Sequence, residues 1–138
     1  MAKNIYLVGG RKGGVGKSLI TMALVDYLLG NDESILLVES DTSNPDVWKA
    51  YKDVPGVESE LVNLDEADGW IQLVNLCDSK PDSIVVINTA ARNNQGVSSY
   101  GETLNSTLNE LKRKLITLWV INRQRDSLEL LKEYMDAI

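Results

Sequence analysis

One stretch constrains this chain more than any other: Gly9-Gly10-Arg11-Lys12-Gly13-Gly14-Val15-Gly16-Lys17-Ser18, set between an apolar strand pattern and an apolar helix pattern. Ile5-Tyr6-Leu7-Val8 reads as a short buried strand. Leu19 to Leu29 reads as a helix rich in Leu, Ile, Ala and Met, closed by Gly30-Asn31. Glycines let backbone N–H groups turn inward and line a concave anion site, because no Cβ stands in the way. The helix start adds unpaired N–H groups and the positive end of its dipole. Lys17 supplies a cation for outer phosphates, and the Ser18 hydroxyl suits Mg²⁺. Strand, glycine loop and helix together imply a cradle for nucleotide phosphates.

The usual phosphate-loop pattern has glycine five residues before the glycine of Gly-Lys-Ser/Thr, and that place is taken by Arg11. What stands instead is Lys12-Gly13-Gly14-Val15-Gly16-Lys17-Ser18, with a second lysine at the front. This arrangement resembles the deviant Walker A box of the ParA/MinD family of P-loop ATPases. The resemblance implies a protein that dimerises around ATP–Mg²⁺, with Lys12 acting in trans on the partner's nucleotide. It places cofactor contacts at Lys12, Gly13, Gly14, Val15, Gly16, Lys17, Ser18 and the following Leu19. The bland alternative is a Gly-rich turn with two solvated lysines.

The chain of 138 residues has room for a single domain, 1–138, with one core. At 43% hydrophobic and 25% charged its composition is that of a globular protein and not of a disordered one. No histidine is present and Cys77 is the sole cysteine, which argues against a zinc site, a His-based triad or an internal disulfide. Cys77 falls in an apolar helical pattern and is expected in the core. No long apolar run or leader pattern is visible, so a cytoplasmic protein without a membrane role is expected. The net charge of −6 argues against a generally basic surface for nucleic acid. The nearest basic patch is Lys112-Arg113-Lys114 with Arg123 and Arg125, whose bland reading is a solvated helix end.

Along the chain, Ser34 to Glu39 reads as a strand buried on both faces. A polar loop, 41–46, leads to a short segment with Val47, Trp48 and Tyr51. Pro55-Gly56 marks a turn, Val57 to Leu64 a modest strand, and Asp65 to about Asp78 a helix with Ala67, Trp70, Ile71, Val74 and Cys77 on one face. Ser83 to Ile87 is the clearest strand. A helix over about 99–114 and a strand over 115–121 follow. Asp126 is expected to cap a last helix with Leu128, Leu131, Met135 and Ile138 inward. The alternation predicts an α/β fold of three layers, a mainly parallel sheet with helices on both faces. The family resembled has a P-loop NTPase fold and usually runs longer, so a C-terminally truncated piece and an unusually short member both stay open.

The polar residues of interest follow strand C-terminal ends, where open α/β sheets bind ligands. Glu39-Ser40-Asp41 looks like the family's switch region, in which Asp41 polarises the attacking water and Glu39 is its strand-end partner. The alternative is that Asp41 only caps the next turn, with Thr42-Ser43-Asn44. At the Walker B position the family has aspartate, whereas Ile84-Val85-Val86-Ile87 ends here in Asn88. Asparagine can accept from a metal-bound water but brings no charge, which predicts weaker metal binding and slow hydrolysis. Candidate metal contacts are therefore Ser18, Asp41 and Asn88. The resemblance places adenine contact at Asn122, although that amide could equally serve the final helix.

The motifs Val-Glu-Ser-Asp and Ile-Asn-Thr-Ala-Ala-Arg-Asn look most similar to small plasmid ATPases of the StbB and TraL type. The function this implies is an ATP-dependent dimer switch in plasmid partition, stability or conjugal transfer. Catalysis would rest on Lys12, Lys17 and Asp41. The protein would work with a plasmid-encoded DNA-binding partner that makes most of the DNA contact. The alternatives are a nucleotide-binding module with little or no hydrolysis, for which Asn88 argues, and a small-molecule P-loop kinase using Arg123 and Arg125.

Overall fold

The computed structural model describes residues 3–10, 16–90, 93–121 and 125–138, with the side chains of 125–127 left aside. Its elements run β1 (Ile5–Gly10), α1 (Lys17–Gly30), β2 (Ile35–Glu39), α2 (Asp46–Tyr51), β3 (Val57–Leu61), α3 (Ala67–Ser79), β4 (Ile84–Asn88), α4 (Asn93–Asn105), α5 (Leu108–Leu111), β5 (Leu115–Val120) and α6 (Arg125–Ala137). The strands form a five-stranded sheet in the order β3-β2-β4-β1-β5. Each strand pair is parallel.

Two apolar clusters put helices on both faces, as the alternating sequence predicts. Val25 and Leu28 of α1 and Val47 and Tyr51 of α2 pack on Ile35, Leu37, Ile84 and Val86. On the opposite face Trp70, Leu73 and Cys77 of α3, Leu104 of α4 and Tyr134 of α6 pack on Ile5, Leu7, Leu36, Val85 and Ile87. The central strands β2 and β4 are buried at every residue, which is why each reads as a near-continuous apolar run.

Strand order reverses between β1 and β4. From β1 the chain crosses over β4 to β2, while from β4 it crosses over β1 to β5. The crevice outside the carboxyl ends of β1 and β4 is therefore the topological switch point of the sheet.

Several element bounds differ from the sequence expectation. β3 stops at Leu61 and α3 starts at Ala67. The inward face of α3 is Trp70, Leu73 and Cys77, while Ile71 is 52% exposed. The helix expected over 99–114 begins at Asn93 and breaks into α4 and α5. At the break the Thr107 hydroxyl lies against the carbonyls of Thr103 and Leu104 (3.2 and 2.8 Å), and Lys112 ends α5 at φ 57°. Among the described side chains of α6 the buried one is Tyr134, whereas Leu128 and Met135 face outward at 57% and 66% exposure. Tyr134 packs its ring 5.0 Å from Trp119 and brings its hydroxyl within 2.6 Å of the Thr117 hydroxyl, and these contacts fix the rotation of the helix. That helix begins at Arg125, one residue before the expected cap Asp126.

Within the basic run Lys112 and Lys114 are exposed, but Arg113 is not solvated. Arg113 is 5% exposed, and its guanidinium donates to the carbonyls of Lys3, Ser83, Cys77 and Lys80. It closes the C-terminal end of α3 against the starts of β1 and β4, at the far edge of the sheet from the switch point.

Candidate functional site

Gly16 precedes α1 with φ 91°, a left-handed conformation that favours glycine, and no side chain caps the helix. The first-turn N–H groups of α1 therefore start at the mouth of the crevice without a side-chain cap from Gly16. Lys17 opens the helix and is buried at 8% exposure, its Nζ 3.4 Å from the carbonyl of Gly10. Burial lowers its pKa, and the negative charge of Asp41 pulls it back up. Lys17 and Asp41 thus share one electrostatic neighbourhood. Ser18 is half-buried in the first turn, and Leu19 is 68% exposed. Lys12, Gly13, Gly14, Val15 and Asn122 lie outside the described residues, as do Arg92 and Arg123.

Asp41 begins a tight turn. Its Oδ1 accepts from the Ser43 hydroxyl and from the Asn44 N–H, both at 3.2 Å. The capping role is thus realised, and it coexists with the Coulombic reach to Lys17.

Glu39 and Asn88 face each other in the register of β2 and β4. Glu39 is fully buried, and Asn88 is 2% exposed. The Asn88 Nδ2 donates to Glu39 Oε2 at 2.7 Å, and Asn88 Oδ1 accepts from the Thr21 hydroxyl at 2.8 Å. The Thr21 hydroxyl also lies 2.9 Å from the Lys17 carbonyl, so its one proton is shared between two acceptors. The other Glu39 oxygen accepts from Val47 N–H at 3.2 Å and, more weakly, from Trp48 N–H at 3.5 Å, at the start of α2. Burial raises the Glu39 pKa, and hydrogen bonds from Asn88 and from the Trp48, Val47 and Asp41 N–H groups oppose that rise.

A second set of buried polar groups, centred on Asn93, was given no role by the sequence reading. Asn93 is fully buried at the start of α4; its Oδ1 accepts from Ala90 N–H and lies 2.7 Å from the Ser40 hydroxyl, while its Nδ2 donates to Asp65 at 2.7 Å. It ties the loops after β2, β3 and β4 together. The available sign for Thr21 was a hydroxyl one turn beyond Lys17 within the apolar run Leu19 to Val25. Asn93 closes the Ile-Asn-Thr-Ala-Ala-Arg-Asn motif, but its burial was not readable because it depends on three distant loops.

Among the described residues no three His, Cys, Asp or Glu side chains gather as a metal cage. Mg²⁺ still fits, because the donors at the crevice are hard oxygens, the Ser18 hydroxyl and the Asp41 carboxylate. Such a metal takes its other ligands from phosphates and water.

Residues 6–138 match the model of the CobQ/CobB/MinD/ParA nucleotide binding domain. The chain belongs to this family. It is 83% identical over all 138 residues to Protein MobD of Acidithiobacillus ferrooxidans, and it spans 60% of that relative's length. The fold is also that of cell division protein FtsY from Thermotoga maritima, with a TM-score of 0.70 at 18% identity, covering 99% of this chain and 50% of that one. The signal recognition particle receptor FtsY from Elizabethkingia anophelis superposes with a TM-score of 0.63 at 17% identity, over 98% of this chain and 47% of that one. Among the described residues no helix is long and apolar enough to cross a membrane.

Proposed function

We propose that this chain is the nucleotide-binding domain of an ATP-dependent switch, which dimerises around ATP–Mg²⁺ and separates on hydrolysis. The observation that carries this reading is the placement of Lys17. It is buried at the first turn of an uncapped helix, at the switch point of a parallel sheet, with Asp41 close enough to act on its charge. Lys17 and the α1 N–H groups would hold the phosphates. Ser18 and Asp41 would meet Mg²⁺, with Asn88 adding at most the second lone pair of its amide oxygen. The metal, when bound, neutralises charge building on the β- and γ-phosphate oxygens. Asp41 would orient the attacking water by accepting its hydrogen bond, and Lys12 would reach the partner's nucleotide. Asn122 would contact the adenine.

The wider role we infer is plasmid partition, stability or conjugal transfer, in the cytoplasm and with a plasmid-encoded DNA-binding protein as partner. Support for it is the likeness of the Val-Glu-Ser-Asp and Ile-Asn-Thr-Ala-Ala-Arg-Asn motifs to the small plasmid ATPases. The acidic balance of −6 supports leaving most DNA contact to the partner. A second reading, a module that binds nucleotide with little turnover, is favoured by Asn88, whose amide is engaged on both sides. Solution mass by light scattering separates the two when measured with ATP–Mg²⁺, with ADP–Mg²⁺ and without nucleotide. A doubling with ATP alone, abolished by Lys12→Ala, is the expected result. The same mass in all three states would contradict the switch.

A further inference from the structure

The Walker B place holds asparagine, and the structure shows what surrounds it. A carboxylate already occupies the β2–β4 seam: Glu39, fully buried, with Oε2 at 2.7 Å from Asn88 Nδ2. Asn88 uses its two ends differently, accepting from Thr21 of α1 and donating to Glu39 of β2. Glu39 in turn accepts from the N–H groups of Val47 and Trp48 at the head of α2. An aspartate at position 88 could still accept from Thr21 but has no proton to donate. It would set a second carboxylate against Glu39 within hydrogen-bond distance in a buried seam, where like charges repel strongly.

We propose that Asn88 is a positioning residue for Glu39 and not a weakened metal ligand, the carboxylate of this seam being the one on β2. Asn88 holds Glu39 so that its carboxylate anchors α2 and the Asp41 turn, and it links both to the helix that opens with Lys17. Acid and amide can be swapped between the two strands on paper. In a Glu39→Gln/Asn88→Asp double variant, Gln Oε1 accepts from Val47 and Trp48, Gln Nε2 donates to the new aspartate, and that aspartate accepts from Thr21. The bonds to Val47, Trp48 and Thr21 and the bond between positions 39 and 88 each keep a donor and an acceptor.

The proposal rests on the nucleotide-site reading only in its metal arm, so the test has two arms. In the first, melting temperature is read without nucleotide for the wild type, Asn88→Asp and the double variant. Asn88→Asp is expected to melt about 5 °C or more lower, and the double variant to recover to within about 2 °C of the wild type. In the second arm, Mg²⁺ is titrated calorimetrically into the same proteins saturated with ADP. Asn88→Asp is expected to bind Mg²⁺ no more tightly than the wild type. A gain of about tenfold or more in Mg²⁺ affinity in Asn88→Asp overturns the proposal, whatever its melting temperature. So does a double variant that melts no higher than Asn88→Asp. If the wild type binds no ADP, the nucleotide-site reading falls, and the melting comparison still decides the proposal by itself.

Discussion

Asn88 Nδ2 donates to Glu39 Oε2 at 2.7 Å while Asn88 Oδ1 accepts from Thr21 at 2.8 Å, so one amide joins α1 to the head of α2 through the sheet. This chain of bonds passes directly behind the crevice that Lys17 enters.

Thr21 tests how much that chain stabilises the fold. It is fully buried, and Thr21→Val keeps its shape while removing the hydroxyl. The Asn88 oxygen then loses its donor, which is expected to cost about 1–3 kcal/mol. Chemical denaturation of the two proteins measures the difference. Equal stabilities would mean that the amide finds another donor.

Arg113 is expected to matter for folding and not for the site. Its guanidinium satisfies four carbonyls at the far end of the sheet. Arg113→Met fills similar volume yet strands those acceptors, with an expected loss of about 3 kcal/mol. Nucleotide affinity of the folded fraction should stay within about twofold. A large loss of affinity at full stability would contradict this assignment.

The glycine at position 96 is required by a backbone. A Cβ there would lie 1.9 Å from the Leu64 carbonyl oxygen, so α4 would have to leave the loop that Asn93 ties to Asp65. Gly96→Ala is expected to destabilise by about 3 kcal/mol, and Ser99→Ala on the exposed side of the same helix by about 0.5 kcal/mol or less. Paired thermal melts check the contrast.

Cys77 gives a pH dependence with a definite sign. Burial pushes its thiol up to about 11, against an ordinary value of 9.0, although the nearby Arg113 charge favours the thiolate. The unfolded chain therefore releases this proton first, and stability falls as pH rises from 9 toward 11. Cys77→Ala should remove that part of the slope. In the native protein the thiol should resist iodoacetamide at about pH 8.5 and react readily once unfolded.

Much of the fold was legible because its strands are buried on both faces. Leu36-Leu37-Val38 and Val85-Val86-Ile87 have no polar side chain to obscure them, and the Gly-Lys-Ser after β1 fixed where the helix starts. The polar start of α4 was not legible. Asn93 and Gly96 are poor helix formers that are buried only because the loops after β2, β3 and β4 meet there. Arg113 was missed for a similar reason, since only the folded chain gathers its four carbonyls. For the site, the strand-end pattern located Glu39, Asp41 and Asn88 at one edge. What it could not supply was that Asn88 and Glu39 share a hydrogen bond, which depends on strand order and register. The Met135 and Leu128 stripe failed because Tyr134, held by Thr117 and Trp119, sets the rotation of α6.

The central claim is that the turn from β1 into α1 holds nucleotide phosphates through Lys17. The most direct measurement is a calorimetric titration of ATP–Mg²⁺ into the wild type and into Lys17→Ala. The account predicts saturable one-to-one binding by the wild type and a loss of about tenfold or more in affinity for the variant. Equal affinities, or no binding by a folded wild type, would contradict it.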